Sequence, residues 1–448
     1  MPSGIEILKL LPKTNCGDCG QPTCLAFAMN LAAGKAELDA CPHISDEARE
    51  TLSESSAPPI REVTIGSADG KVKVGGETVL FRHEKTFFNK TGLGVLVSDS
   101  MSDADVDGRI KRLADLKYDR VGLTLMAEII AVESASGDKD KFAALAKKAA
   151  DANPGGIVLM STDPAVMGAA LDAIADKKPL IYAATADNMD AMGDLALKHK
   201  CPLAVKADGV EAVAGLTEKL AAKGIKDMMI DPSSPDIKRG LEDQTKIRRL
   251  ALKKEKSVGY PTIALPAKMT DDYMKEMLIA SMYVAKYAGL VILSDIQGEG
   301  HFPLLLGRLN IYTDPQRPMM TEEGVYPINN PDDASPLLVT SNFSLTYFIV
   351  SGEMEGSRVP SNLLVLDTEG LSVLTAWAAG KFAGDLVAAL MKKTGIKDKM
   401  TKKKVIIPGY VAVISGELEE DLGSDWEVIV GPREAAHIPK FLKEMAGS

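Results

Sequence analysis

Eight short apolar runs, each followed by a stretch with helical patterning, are the feature that most restricts the folds open to this chain. The runs are Gly94–Ser98, Val121–Met126, Gly156–Ser161, Pro179–Ala184, Pro202–Lys206, Asp227–Asp231, Thr262–Pro266 and Leu290–Ser294. Between them lie sequences such as DKFAALAKKAADA and DDYMKEMLIASMYVAKYAG, whose apolar residues repeat with helical periodicity. Continuous apolar strands are buried on both faces, and eight of them alternating with helices predict a closed parallel β/α (TIM) barrel over residues 91–312. Such a barrel carries its chemistry at the carboxyl ends of its strands. The residues expected there are Ser98, Asp99, Glu128, Ser161, Thr162, Asp163, Thr185, Lys206, Asp231, Ser294, Asp295 and His301. Asp and Ser directly after a strand are also ordinary helix N-caps. A scaffold and docking surface is therefore the plainer expectation for the barrel, and His301 by itself reads as structural.

The segments flanking the barrel differ from it in character. Residues 1–57 hold four of the five cysteines, Cys16, Cys19, Cys24 and Cys41, in TNCGDCGQPTCLAFAMNLAAGKAELDAC. Gly17 and Gly20 allow tight turns between sulfurs. The Ala- and Leu-rich run after Thr23 is helical in pattern and leads back to Cys41. Four convergent thiolates suit an iron–sulfur cluster. A structural zinc site is the competing reading, since spacing alone does not fix the metal. A module this small needs its metal to be stable. SESSAPPI (53–60) reads as a linker, and residues 58–90 as a lead-in containing a hairpin, with EVTIG and KVKVGGETVLF alternating about Gly75-Gly76.

Beyond the barrel, residues 313–336 are Pro-, Asn- and Asp-rich and read as a second linker. Residues 337–448 return to alternation. LLVTSNFSLTYFIVSG and NLLVLD supply strand-like segments, Leu371 to Met391 is helical in pattern, KKVIIPG and WEVIVGP follow, and a helix is expected from Arg433 to Met445. The pattern predicts a doubly wound, mainly parallel α/β sheet, which binds ligands in the crevice beyond its strand ends. The loops there are TSN (340–342), DTEGLS (367–372), PGY (408–410) and GPRE (431–434).

Composition narrows the function. A length of 448 residues suggests about three domains. The net charge of −10, without a basic stripe, argues against nucleic acid and against an anionic membrane surface. No apolar run is long enough to span a bilayer, the N-terminus lacks the pattern of a signal peptide, and Cys201 is the single further cysteine. A cytoplasmic location is expected.

Several long motifs then point to one family. NCGDCGQPTCLAFA…ACPHIS at the N-terminus is followed in the tail by VTSNFSLTYFIVSGEMEGSRVPSNLLVLDTEGLSVLTAWAAGKF, IIPGYVAVISGELEE and VIVGPREA. Together with the barrel they resemble the corrinoid/iron–sulfur protein large-subunit family, whose methanogen branch is the gamma subunit of the acetyl-CoA decarbonylase/synthase complex. The resemblance implies a 4Fe–4S cluster on the four cysteines, a cobalamin-type corrinoid in the tail, and a heterodimer with a small barrel subunit. It also implies a methyl carrier of the reductive acetyl-CoA pathway. Cobalt(I) would take a methyl group from methyltetrahydrofolate through a methyltransferase and pass it to acetyl-CoA synthase/CO dehydrogenase. The cluster, fed by a low-potential electron donor, would rescue oxidised cobalt across a mobile linker. No Asp-x-His-x-x-Gly loop occurs, and His437 is the one tail histidine, so the corrinoid is expected base-off without a protein nitrogen ligand. On a helix beginning near Leu371, the small residues Ser372, Thr375, Ala376, Ala379 and Gly380 share one face. With the resemblance, that face and the backbone of Gly370, Leu371, Ser372 and Val373 become the expected corrinoid seat, bordered by Thr340, Thr346 and Arg433. Two other functions fit the same layout: a barrel methyltransferase that binds a pterin itself through Asp99, Asp231 and Asp295, and an electron-transfer subunit without corrinoid.

Overall fold

A computed structural model of the chain describes all residues except 1–2, 33–34, 46, 50, 53–57, 68–69, 121–122, 153 and 447–448. The chain divides into two compact units. The first comprises Met1–Leu80, Phe88–Leu113 and Ala127–Arg308; the second comprises Phe81–Phe87, Ala114–Met126 and Leu309–Ser448.

The first unit is built on a closed, all-parallel barrel of eight strands. In order around the ring they are Gly92–Ser98, Ile129–Glu133, Gly156–Met160, Leu180–Ala184, Leu203–Lys206, Met228–Asp231, Thr262–Ala264 and Ala288–Leu293, with Leu290 pairing back to Gly92. Seven of these strands coincide with the apolar runs read from sequence. The remaining run, Val121–Met126, does not enter the barrel. Residues 121–122 lie outside the described set, and Leu123–Leu125 pairs antiparallel with Tyr118–Arg120 as a small ribbon of the second unit. Its place is taken by Ile129–Glu133, whose Ile129, Ile130, Ala131 and Val132 are fully buried. A barrel strand needs apolar side chains on both faces. The earlier run interposes Thr124, and Leu123 remains half exposed.

That shift moves Glu128 from the carboxyl end of a strand to its amino end. There it is held between Arg308, at 2.8 and 2.9 Å, and the Lys90 ammonium at 2.8 Å. The Arg308 guanidinium also donates to the Thr91 carbonyl. Burial pushes the Glu128 carboxyl up, but the two cations outweigh it and hold it below the ordinary glutamate value. The same end of the barrel is closed by the hairpin Val63–Ile65/Val72–Val74. Val63, Ile65, Val72 and Val74 are buried in one cluster with Ile129, Leu180 and Leu290. The hairpin pairs Ile65 with Val72, so its strands are not joined at Gly75-Gly76 as the alternation suggested; the Gly pair follows the second strand. Of the SESSAPPI linker, residues 53–57 lie outside the described set, while Ile60 is buried and its N–H bonds the Glu77 carbonyl.

The second unit is a five-stranded sheet in the order Gly324–Ile328, Ser361–Leu366, Leu337–Ser341, Lys404–Ile407, Glu427–Val430. The last four are mutually parallel, and Gly324–Ile328 is an antiparallel edge supplied by the stretch read as a linker. Helices cover both faces: Ser344–Ser357 and Ile438–Ala446 one of them, Val373–Ala378, Gly384–Lys393 and Ser415–Leu422 the other. This is the expected doubly wound arrangement, with three local corrections. SLTYFIVSGEMEGS is a helix, not a strand, because its small and apolar residues follow a helical period after the strand has ended at Ser341. The helical run 371–391 is two helices, broken at Gly380 in left-handed backbone (φ +70°). The final helix starts at Ile438, after a 3-10 turn at Ala435–His437. Among the described residues no helix is long and apolar enough to cross a membrane.

The Glu128–Arg308 pair gives a direct test of the barrel's closed end. Arg308→Met strands a buried carboxylate and should lower the stability of the first unit by about 3–5 kcal/mol, whereas Glu128→Met/Arg308→Met recovers most of that loss. Because the folded carboxyl lies below its unfolded value, the wild-type contribution is full above the unfolded value and fades as pH falls through the folded one. Denaturant unfolding followed by circular dichroism across mildly acidic pH measures both effects.

Candidate functional site

Two places gather chemistry-bearing residues, and the first is the cysteine module. Its helix Gly4–Leu10 is capped by Ser3, with Glu6 answering from the first turn, and a second helix runs Cys24–Ala32. These helices bury Ile7, Leu11, Phe27 and Ala28 together with Ile44 and Leu52. Gly17 and Gly20 have φ of +82° and +75°, and the Gly20 N–H closes the turn on the Gly17 carbonyl at 2.9 Å. The Asn15 side chain accepts from the Cys24 N–H at 2.8 Å and ties this loop to the start of the second helix. Cys24 and Cys41 are buried in the module's core, Cys19 is half-buried and Cys16 is exposed. His43 and Asp18 pair at 2.5 Å beside Cys16, and these hydrogen bonds, that from His43 foremost, hold the Asp18 carboxyl below its usual range. Soft thiolates on a loop with left-handed glycines form a donor set suited to an iron–sulfur cluster.

The second place is the crevice beyond the parallel strands of the second unit. The strand order reverses between Leu337–Ser341 and Lys404–Ile407, which is where doubly wound sheets take their ligands. Asn342, buried at the end of the first of these strands, organises the crevice. Its side-chain oxygen accepts from the Thr368 N–H, the Thr368 hydroxyl and the Gly370 N–H at 2.9–3.0 Å. Its amide nitrogen donates to Asp367 at 2.8 Å, and its backbone carbonyl accepts from the Thr321 N–H at 2.9 Å. One residue thus binds the DTEG loop through its side chain and Thr321 through its backbone to the strand end. Gly370 sits in left-handed backbone (φ +74°), and a Cβ there would stand 2.8 Å from the Met320 side chain.

The sequence-derived residues fall around this crevice with unequal exposure. Thr340 is buried, and its hydroxyl has no hydrogen-bond partner among the described residues; the same holds for the hydroxyls of Thr321, Ser341 and Ser344. Gly370 is buried and Leu371, Ser372 and Val373 are half-buried. The Ser372 and Thr375 hydroxyls stand 3.1 Å apart, with Thr375 exposed. Ala376 does not join them: it is fully buried in the core under the sheet, while Leu374 and Trp377 project outward at 48% and 41% exposure. Thr346 is half-buried, one turn into the helix Ser344–Ser357. Arg433 is exposed on the GPRE loop, which abuts Gly409 of the PGY loop. His437 is exposed in its 3-10 turn. Sequence reasoning missed Asn342, Thr368 and Met320. The first two stood inside the TSN and DTEG loops, where their short polar side chains were the available signal; nothing in the sequence marks Met320.

At the barrel's carboxyl ends most candidates brace loops. Asp99 accepts from the Ala135 and Ser136 N–H groups and the Ser136 hydroxyl at 2.7–2.8 Å, Asp163 caps the helix Pro164–Ile174, and Asp295 is held by Arg112 at 2.8 Å. His301 is buried inside the helix Gly298–Ile311; burial, then Arg308, pushes it down to about 4, so it is neutral at physiological pH. Lys206 and Asp231 stand apart from these and meet at a cavity.

A four-cysteine module, a β/α barrel and a doubly wound sheet with a pre-formed crevice are the parts of a modular cofactor-carrying subunit. The family model described as CO dehydrogenase/acetyl-CoA synthase delta subunit matches residues 62–442, and one described as "Putative Fe-S cluster" matches residues 11–43. The corrinoid/iron–sulfur protein large subunit of Moorella thermoacetica is 47% identical over 98% of both chains. The acetyl-CoA decarbonylase/synthase complex subunit gamma of Methanopyrus kandleri is 37% identical over 99% of this chain and 97% of its own length. The chain belongs to this family of corrinoid/iron–sulfur protein large subunits and acetyl-CoA decarbonylase/synthase gamma subunits.

The unpartnered Thr340 hydroxyl makes a prediction of opposite signs. A buried hydroxyl without a partner destabilises the cofactor-free chain, so the isosteric Thr340→Val should raise its stability by on the order of 1 kcal/mol. With cofactor bound, that gain should shrink or reverse. Denaturant midpoints of the cofactor-free and cofactor-loaded proteins measure the difference.

Proposed function

We propose that the chain is the large subunit of a methyl carrier serving an acetyl-CoA decarbonylase/synthase system, holding a corrinoid in the tail crevice and a 4Fe–4S cluster on Cys16, Cys19, Cys24 and Cys41. The observation that carries the proposal is the group of buried hydroxyls without a partner among the described residues at this strand end: Thr340 and Ser341, on opposite faces of the strand, with Ser344 and Thr321 next to them. Buried polar groups are normally satisfied, and orphaned ones mark a missing partner. The amide side chains that fringe a corrin offer such partners. When bound, the corrinoid supplies a cobalt centre that exchanges methyl groups, and the cluster supplies low-potential electrons.

The chain's own residues then have distinct tasks. Asn342 keeps the DTEG loop in place, so that Gly370 to Val373 present backbone to the cofactor without reorganising. Leu374 and Trp377 give a flat macrocycle an apolar surface beside Thr375, and Thr346 and Arg433 border it. Relative to the expected small-residue face, the seat shifts outward, because Ala376 faces the sheet. His437 stands on an exposed turn, and the missing Asp-x-His-x-x-Gly loop is the ground for a base-off corrinoid without a protein nitrogen ligand. The natural partners of such a carrier are a small barrel subunit, a methyltetrahydrofolate methyltransferase, acetyl-CoA synthase/CO dehydrogenase and a low-potential electron donor, in the cytoplasm.

Two substitutions test this assignment. Thr375→Phe adds a ring to the exposed seat and should at least halve cobalt content while iron content and circular dichroism stay normal; full cobalt occupancy would place the cofactor elsewhere. Cys19→Ala should abolish reductive activation yet leave pre-methylated protein able to transfer its methyl group. Loss of transfer from the pre-methylated protein would refute the repair role.

A further inference from the structure

The barrel has a cavity of its own, at the carboxyl ends of its strands, that none of the tasks above uses. It measures about 190 Å³, on the order of a dozen water-sized volumes. Its lining is mixed in chemistry. Pro232, Ile263, Leu265 and Met269 are apolar, while Tyr182, Lys206, Asp231 and Lys268 bring a phenol and charges. This is the strand-end face at which β/α barrels hold ligands.

The polar part of the lining has one charge unanswered. Asp231, at the end of Met228–Asp231, is buried and accepts from the Tyr182 hydroxyl at 2.5 Å and from the Ser233 N–H at 2.8 Å. Lys268 is paired with Glu133 at 2.6 Å. Lys206, at the end of Leu203–Lys206, is half-buried, and its ammonium lies 5.6 Å from the Tyr182 ring centroid. No carboxylate stands within ion-pair distance of it among the described residues. Asp231, on the neighbouring strand, already has one hydrogen bond on each carboxylate oxygen. A half-buried ammonium facing a roomy cavity is a receptor for an anionic oxygen group. The apolar residues of the lining suit an organic body attached to that group.

We propose that this cavity is a second ligand site, separate from the tail crevice, for a small organic anion whose carboxylate or phosphate meets Lys206 and whose apolar body lies along Ile263, Leu265 and Met269. Asp231 and Tyr182 form its fixed polar floor. The site goes beyond the carrier role, since it needs neither the cluster nor the corrinoid.

The test uses the purified full-length chain and two probes, para-fluorobenzoate and para-fluorophenyl phosphate, observed by fluorine NMR line broadening. At least one should bind saturably in the millimolar range, and more tightly than acetate or inorganic phosphate, which lack the apolar body. Binding of the benzoate alone assigns the natural anion to the carboxylates, and binding of the phenyl phosphate alone to the phosphate monoesters. Lys206→Met should weaken the better probe by about tenfold or more, and Lys206→Arg should restore much of it. Leu265→Trp, which fills the cavity from its rim, should abolish the broadening independently of Lys206. If neither probe binds, or if both bind equally to wild type, Lys206→Met and Leu265→Trp proteins of unchanged circular dichroism, the proposal is overturned.

Discussion

Closure of the barrel is the constraint on which the rest of the first unit depends. A parallel sheet leaves no strand able to face water, so each of the eight must present apolar side chains both to the barrel interior and to the helices. Ile129, Ile130, Ala131 and Val132 meet that demand four residues in a row. The amino end of the ring must also be sealed. Here the hairpin with Val63, Ile65, Val72 and Val74 supplies the apolar plug, and the buried carboxylate of Glu128 is tolerated because Arg308 and Lys90 surround it. The carboxyl end is thereby left as the face free for loops and ligands.

The two places that gather chemistry illustrate different ways of holding a ligand. The cysteine module offers charge-bearing sulfurs on a loop whose shape is set by two left-handed glycines and by Asn15. The tail crevice offers chiefly backbone, hydroxyls without partners among the described residues and an apolar surface, fixed by Asn342. The first is suited to a compact inorganic centre whose bonds to the protein are strong and few, the second to a large organic ring gripped by many weak contacts.

Where the sequence was legible, the reason was periodicity or spacing. The barrel showed itself because seven of its strands are uninterrupted apolar runs, and the cysteine set because four thiols cluster in a short segment. The exception, Val121–Met126, shows the limit: an apolar run is a necessary feature of a buried strand, and Ile129–Glu133 next to it satisfied the condition on both faces. Gly75-Gly76 misled in the same way, as a glycine pair marks a bend without saying which strands it joins. The orientation of Ala376 was out of reach, because a small residue on a short helix carries no sign of whether it faces a sheet or a ligand. Asn342 was hidden for another reason. Its role lies in reaching two loops that are distant along the chain, and such partnerships leave no local pattern.

The ribbon of Tyr118–Arg120 and Leu123–Leu125 and the turn segment Phe81–Phe87 belong to the second unit although both are encoded within the first. The polypeptide therefore passes between the two units at several points instead of at one. No single proteolytic cut can release either as an intact piece, and truncating the gene before Leu309 would leave two orphaned segments with nothing to fold against. During synthesis, residues 81–87 and 114–126 leave the ribosome long before their partners, so the second unit can be completed only after the last strands of the chain have been made.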